Sequence, residues 1–166
     1  MTTNSGSTSP ARRWAGPVAA CLALLLLSGC ALPSLHRHRD ALTPQEHLKL
    51  GLSYEKNGEY KLALREYEAA LPEMEQAHLF MGNTYYSMQR YGEAEASYRE
   101  AVETMPDDPE PRNNLAWLLL QRREDLEEAE RLAREAVNLA DAKHRGEYLD
   151  TFERIRAVRK GPPPGN

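Results

Sequence analysis

Residues 50–70, LGLSYEKNGEYKLALREYEAA, return at residues 81–101 as MGNTYYSMQRYGEAEASYREA. The two stretches have small residues and tyrosines at the same positions. The matched pairs are Gly51/Gly82, Tyr54/Tyr85, Ala63/Ala94, Tyr67/Tyr98 and Ala70/Ala101. Spacings of three, four and seven residues place such side chains along one stripe of a helix. The pattern therefore predicts a repeated pair of helices, with glycine and alanine where the two helices approach each other.

This spacing resembles the tetratricopeptide repeat, a family built from stacked helix pairs. A third unit with a similar pattern contains Asn113, Asn114, Ala116, Trp117, Ala129, Ala133 and Ala136. The resemblance implies an all-α fold, a right-handed superhelix of three helix pairs plus a C-terminal capping helix. The predicted boundaries are 43–160 for the repeat domain, about 44–74, 75–108 and 109–143 for its units, and 146–160 for the end helix.

The helix boundaries can be predicted from local signals. Thr43 can cap the first helix, and Glu46 three residues later completes a capping box. In the first two units the predicted helices cover residues 44–57, 60–71, 75–89 and 92–105. These units are offset by 31 residues instead of the family's 34, so we expect a short connection around Leu71 and Pro72. The third unit has one extra residue in its turn, between Arg122 and Leu126.

The repeated residues have distinct expected roles. Three small residues should let the second helix of each unit approach the first: Gly51, Gly82 and Ala116. Four tyrosines should fill the wedge between neighbouring units: Tyr54, Tyr67, Tyr85 and Tyr98.

A last amphipathic segment follows, with Tyr148, Leu149, Phe152, Ile155 and Val158. Glu153 stands where a further unit would need glycine or alanine, so we expect an end helix that covers the last apolar face of the array. Residues 161–166, GPPPGN, predict a disordered tail rich in proline and glycine.

The N-terminus resembles a bacterial lipoprotein signal. Arg12 and Arg13 precede an apolar run that ends in Leu27-Ser28-Gly29-Cys30. The run is too short to cross a bilayer, which needs about 20 apolar residues in a helix. The resemblance implies that residues 1–29 are a signal peptide, that Cys30 is the lipid attachment site, and that residues 30–42 form a tether. A common export signal with an incidental cysteine is the alternative.

Location and charge follow from the same segment. Ala31 stands where an inner-membrane retention signal would have Asp, so the resemblance implies the outer membrane, facing the periplasm, if the cell has two membranes.

Of the 21 basic residues two lie in the signal, which leaves 19 against 25 acidic residues, a net charge near −6. Such a surface does not favour nucleic acid as a partner.

Catalytic chemistry has no recognisable motif in this chain. Paired carboxylates, serines and histidines occur without a nucleophile elbow, a phosphate-binding loop or metal-ligand spacing, so we expect no enzyme, no cofactor and no metal site.

His36 and His38 fit a solvated linker better than a metal site. His47 and His78 recur at one repeat position and are expected to pack. Acidic runs at 124–125 and 127–128 are expected to be solvated, near Arg131 and Arg134.

Tetratricopeptide repeats bind peptide segments in the groove formed by the first helix of each unit. Carried onto this chain, the resemblance implies a groove lined by Leu48, Leu52, Leu79, Phe80, Asn83, Tyr86, Asn113, Asn114, Trp117 and Leu120. Only Asn83 matches the Lys, Arg and Asn clamp that one branch of the family uses for terminal carboxylates. Phe80 and Trp117 could equally be core residues, and Asn113-Asn114 could instead be a helix-start pair.

These observations favour a membrane-anchored, non-catalytic adapter that binds a protein or peptide partner in assembly or maintenance of a cell-envelope complex. The construction is loosely similar to pilotin-type lipoproteins of type IV pili. A self-associating scaffold lipoprotein without a peptide ligand is the alternative, and a homo-oligomer is therefore also possible.

Overall fold

A computed structural model describes residues 41–71 and 73–161. This part of the chain contains seven α-helices and no strand, which confirms the predicted all-α class. The helices are α1 (Pro44–Lys56), α2 (Tyr60–Ala70), α3 (Gln76–Ser87), α4 (Tyr91–Thr104), α5 (Pro109–Arg122), α6 (Leu126–Leu139) and α7 (Arg145–Lys160). The predictions for the signal, Cys30, the His36 and His38 pair and residues 162–166 fall outside the described residues.

The helices form three pairs and an end helix, as the sequence predicts. Within each unit the two helices pack together across a connection of three residues, so they run antiparallel. The second helix of each of the first two units packs on the first helix of the next unit, and α7 packs on α6 and α5. The first helices α1, α3 and α5, followed by α7, therefore line one side of the array.

The predicted capping box opens α1. The Thr43 hydroxyl accepts a hydrogen bond from the Glu46 N–H, and the Glu46 carboxylate accepts one from the Thr43 N–H at 2.7 Å. Both hydrogen bonds satisfy N–H groups that would otherwise lack a partner at the helix end.

The first helices of the three units end in the same way. Each chain reversal passes through a residue with left-handed backbone conformation: Gly58 (φ 77°), Gln89 (φ 59°) and Arg123 (φ 53°). The N–H of the next residue then donates to the carbonyl five positions earlier, over 2.9–3.0 Å in all three cases. These hydrogen bonds are typical of the Schellman motif, which satisfies the last carbonyls of a helix.

The extra residue of the third unit lies after this motif. Asp125 has a left-handed conformation (φ 34°), and its carboxylate accepts from the Glu128 N–H at 3.0 Å. Asp125 is exposed, as expected for a solvated residue, and its side chain in addition caps α6.

The connection after the first unit is not shorter than the next one, contrary to our prediction. Five residues separate α2 from α3, whereas four separate α4 from α5. The shorter offset comes instead from α2, which has 11 residues where α4 has 14. Pro72 explains this difference, because a proline cannot donate the backbone hydrogen bond that a continuing helix needs.

The expected nesting of small residues is present. A Cβ built on Gly51 would lie 2.4 Å from Cε1 of Tyr67, one built on Gly82 would lie 2.5 Å from Cδ1 of Tyr98, and Ala116 is fully buried. Tyr67 and Tyr98 thus pack against the glycine of their own unit, which corrects the prediction that they fill only the wedge between units. Tyr67 also reaches the next unit, where its ring stacks on Phe80 with 5.6 Å between centroids.

Ion pairs join the second helices of neighbouring units. Arg99 on α4 contacts Glu128 on α6 at 2.8 Å and Glu95 on its own helix at 2.9 Å. Glu128 is therefore not the solvated residue that we expected. The Arg99 hydrogen bond lowers the pKa of the Glu128 carboxyl below its ordinary value. Arg131 and Arg134 do pair with acids, at 3.6 Å with Glu128 and 2.8 Å with Glu130.

Candidate functional site

Three cavities lie in a row along α1, α3, α5 and α7. The first cavity, of about 420 Å³, is lined by Leu52, Glu55, Lys56, Tyr60, Phe80, Asn83 and Ser87. The middle cavity, of about 260 Å³, is lined by Asn83, Tyr86, Ser87, Tyr98, Asn114 and Trp117. The last cavity, of about 420 Å³, is lined by Trp117, Leu120, Gln121, Arg123, Arg154, Ala157 and Val158. Asn83 and Ser87 are shared by the first two, and Trp117 by the last two, so the three cavities adjoin one another along one groove.

An amide pair lies at the centre of the groove. The Asn83 Oδ1 accepts two hydrogen bonds, from the Tyr98 hydroxyl at 2.8 Å and from the Asn114 Nδ2 at 3.1 Å. Burial is the main cause of a raised pKa at Tyr98, so its hydroxyl stays protonated and available as a donor. Among the described residues, the Asn83 NH2 group and the Asn114 Oδ1 have no hydrogen-bond partner, so both can contact a ligand in the middle cavity.

Trp117 separates the middle cavity from the last one. Its Nε1 donates to the Tyr86 hydroxyl at 3.2 Å, and the Arg154 guanidinium lies 5.8 Å from the centre of its ring. The ring is partly buried and packs against the hydrophobic core. Phe80 has the same mixed position in the first cavity, since it is partly buried and stacks on Tyr67. Each ring is therefore both a core contact and a wall of the groove.

Seven of the ten residues predicted to line the groove do lie along it: Leu52, Phe80, Asn83, Tyr86, Asn114, Trp117 and Leu120. Leu48 and Leu79 do not, because they are 7% and 4% exposed and belong to the hydrophobic core. They stand three residues before Gly51 and Gly82, so they share the helix face that packs on the second helix.

Asn113 occupies the equivalent position of the third unit, three residues before Ala116. Its Oδ1 is buried and has no hydrogen-bond partner in residues 41–71 and 73–161. Its side chain lines a separate cavity of about 400 Å³ with Glu110, Asn114, His144, Glu147 and Tyr148. Partial desolvation, and next the charge of Asp108, raise the pKa of the Glu110 carboxyl there, although the residue is exposed. Asp108 caps α5 and Pro109 begins it, so the helix-start interpretation of Asn113-Asn114 is wrong.

Several groove residues escaped sequence reasoning. Ser87 lies one helical turn after Asn83, and that spacing could have indicated it. Arg154, Ala157 and Val158 belong to α7, whose expected role was only to cover the array. Nothing in their spacing indicates that the last turns of α7 face the groove.

The described residues contain no group of three His, Cys, Asp or Glu side chains placed to hold a metal ion. None of their helices is long and apolar enough to span a membrane. The buried His47 ring lies against α2, with its Nδ1 2.7 Å from a carboxylate oxygen of Glu66. His47 therefore packs between the helices of its unit, as expected.

Comparisons with known proteins identify the repeat. The sequence model of the tetratricopeptide repeat family matches residues 73–142. No curated protein sequence matches this chain significantly.

Solved structures with tetratricopeptide repeats are similar in fold. PcrH from Pseudomonas aeruginosa is 20% identical with a TM-score of 0.65, and the match covers 74% of this chain and 100% of that one. The Yersinia enterocolitica type III secretion chaperone SycD, in complex with a peptide of the translocator YopD, is 22% identical with a TM-score of 0.63 (70% and 94% covered). The first repeat domain of Spaghetti (RPAP3), bound to the HSP90 peptide SRMEEVD, is 17% identical with a TM-score of 0.65 (75% and 99% covered). Residues 73–142 thus match the tetratricopeptide repeat family, and α1–α7 have the helix-pair fold of that family.

Proposed function

We propose that this protein is a non-catalytic adapter that holds a segment of a partner protein in the groove. Lipid on Cys30 keeps it at a membrane, where it acts in assembly or maintenance of a cell-envelope complex. The observation that carries the proposal is that the three cavities adjoin one another in a row, because neighbouring cavities share Asn83 and Ser87 or Trp117.

The chemistry of the groove fits an extended peptide. Phe80 and Trp117 offer aromatic walls for side chains of the ligand, and the Asn83 NH2 group and Asn114 Oδ1 offer one donor and one acceptor for its backbone. Amide side chains suit this role because a peptide backbone presents the complementary acceptor and donor. Such contacts recognise main chain and shape rather than a reacting group, which supports an adapter over an enzyme.

The similar structures support the same class of function. SycD and the Spaghetti domain are each in complex with a peptide. The terminal-carboxylate clamp has no counterpart here, because Leu48, Leu52, Asn113 and Trp117 stand at its other positions. The proposed ligand is therefore an internal segment with apolar side chains rather than a terminal carboxylate held by that clamp.

The membrane anchor rests on the sequence Leu27-Ser28-Gly29-Cys30. Each buried methylene contributes about 0.8 kcal/mol, so two or three acyl chains hold a protein durably where one does not. At 3.3–3.6 Å per residue, a tether of about a dozen residues keeps the repeat domain within about 40 Å of the bilayer. The partner must therefore also lie at or near the membrane.

Crosslinking in intact cells tests the groove. A photoreactive amino acid at Ser87, which lines two of the cavities, should trap the partner. The same amino acid at Glu100, exposed on α4 and outside the groove, is the matched control. Specific products from position 87 that position 100 does not give would support the proposal. Identical products from both positions, or none from position 87, would contradict it.

A second candidate, self-association, is favoured by apolar side chains near the end of the array. Leu139 at the end of α6 and Leu149 on α7 are 40% and 43% exposed. Burial of such side chains between two copies would stabilise a dimer. Sedimentation of acyl-free protein distinguishes the candidates, because a monomer at all concentrations would exclude the scaffold and leave the adapter.

A further inference from the structure

We propose, resting on the proposed function, that the last cavity takes an apolar side chain of the bound segment while Arg123 pairs with a carboxylate beside it. The groove would then select a segment in which apolar and acidic residues are adjacent, and hold it in one orientation.

Four of the seven residues that line the last cavity are apolar. Trp117, Leu120, Ala157 and Val158 line it, and Val158 is 37% exposed although Ile155, on the same helix, is fully buried. An apolar side chain placed here would remove the exposed surface of Val158 and part of the Trp117 ring from water, which is favourable.

The rim of the cavity carries an available cation. Within the described residues the Arg123 guanidinium makes no hydrogen bond or ion pair. Its neighbours differ, since Arg122 contacts Glu95 and Glu124, and Arg154 contacts Asp150 at 2.7 Å. A guanidinium at the edge of an apolar cavity is well suited to a carboxylate, which it can bind through two N–H groups.

The backbone gives Arg123 a defined position. Arg123 occupies the left-handed position that Gly58 and Gln89 occupy in the other two units. Of these three described residues, only Arg123 is positively charged. The hydrogen bonds of the Schellman motif hold that turn, so the side chain leaves from a defined point at the end of α5.

The opposite end of α5 has the opposite charge. The cavity there is lined by Glu110 and Glu147, so an acidic residue of the ligand would be repelled from it. The crevice between α5 and α7 thus has Glu110 and Glu147 at one end. At the other end Arg123 stands before two carboxylates that have other partners, since Glu124 pairs with Arg122 and Asp125 caps α6. This charge difference favours an acidic, apolar segment whose carboxylate lies at the Arg123 end.

Trp117 provides the readout for a test. The chain has two tryptophans, and Trp14→Phe in the full chain leaves Trp117 as the single indole. The probes are two synthetic peptides, acetyl-GSLELEGS-amide and its neutral twin acetyl-GSLQLQGS-amide. We expect the acidic peptide to change Trp117 fluorescence and to bind about two- to fivefold more tightly than its twin, as for a partly exposed ion pair.

Arg123→Asn removes the cation but keeps a residue that accepts the left-handed turn. In this variant the two peptides should bind equally. Arg65→Gln is the matched control, because Arg65 is exposed on α2 and lines none of the three cavities. Its variant should keep the preference for the acidic peptide, and circular dichroism should be unchanged in both variants.

Equal binding of the twins to the parent protein would overturn the inference, as would loss of the preference in Arg65→Gln or no fluorescence change with either peptide. In each case a partner trapped from position 87 would still support the adapter. Failure of that crosslink with preserved peptide selectivity would instead contradict the proposed function.

Discussion

The backbone of Gly51 lies against the ring of Tyr67, so that a Cβ at Gly51 would be 2.4 Å from Cε1. Gly82 and Tyr98 repeat the arrangement in the second unit at 2.5 Å. In these two units the first helix therefore accepts the ring of the second helix only because a side chain is missing.

This packing predicts that Gly51→Ala or Gly82→Ala destabilises the protein. We expect a net loss of about 1–3 kcal/mol, because overpacking outweighs the better helix propensity of alanine. Gly92→Ala on α4 is the control, since a Cβ there has no atom within 4 Å, and it should be neutral or stabilising by up to about 1 kcal/mol. Urea unfolding measures the free energy of unfolding of all three variants. Equal changes in this free energy for Gly51→Ala and Gly92→Ala would contradict the close packing of Gly51 on Tyr67.

The left-handed turns predict a stabilising change. Gln89→Gly should add about 0.5–1 kcal/mol, because glycine adopts a φ of 59° without the steric cost of a Cβ. The reverse change at the equivalent position, Gly58→Ala, should cost about 1 kcal/mol. Thermal unfolding should show a higher melting temperature for Gln89→Gly and a lower one for Gly58→Ala. Shifts of the same sign would argue against a shared motif at these two positions.

The Arg99–Glu128 ion pair predicts a pH-dependent contribution. Because the pKa of Glu128 is lowered on folding, its stabilisation is fully present above its ordinary value of 4.5 and is lost as pH falls through the lower folded value. Glu128→Gln should therefore cost about 1 kcal/mol at pH 7 and much less at pH 3. Glu103→Gln, at an exposed residue of α4, is the control. A cost that is the same at both pH values would exclude the ion pair as its cause.

Asn83→Asp tests the amide pair at the groove centre. The aspartate keeps an acceptor for Tyr98 and Asn114 but loses the NH2 donor, so folding should change little. Binding of the crosslinked partner should weaken by about 1–1.5 kcal/mol, roughly tenfold. Asn138→Asp, exposed on α6, makes the same charge change outside the groove. Comparable weakening in both variants would mean that net charge, and not the amide, is responsible.

Cys30→Ser tests the anchor. Without the sulfur no acyl chain can be attached, so the protein should leave the membrane fraction. Cys21→Ser, within the apolar run, should leave the fractionation unchanged. A Cys30→Ser protein that remains in the membrane fraction after alkaline washing would rule out lipid anchoring through this residue.

Local signals in the sequence were sufficient for most of the fold. The capping box at Thr43 and the glycine at 58 act within a few residues of the chain, so they predict helix ends correctly. An aspartate three residues before Glu128 is also a local signal, because it can cap the helix that follows. Our sequence analysis treated Asp125 only as a solvated residue and did not predict this cap. The Arg99–Glu128 pair is different, because its partners are 29 residues apart and meet only when two units stack.

The sequence by itself determined the helix pairs, their order, and the small residues at which they nest, because each depends on spacing within one helix or across one turn. Only the tertiary structure decided which side each helix turns to its neighbours. Leu48 and Leu79 were thereby assigned to the core, and Arg154 and Val158 to the groove. The physical reason is that the helical period fixes which side chains share a face, whereas the rotation of that face is set by packing against residues distant in the chain.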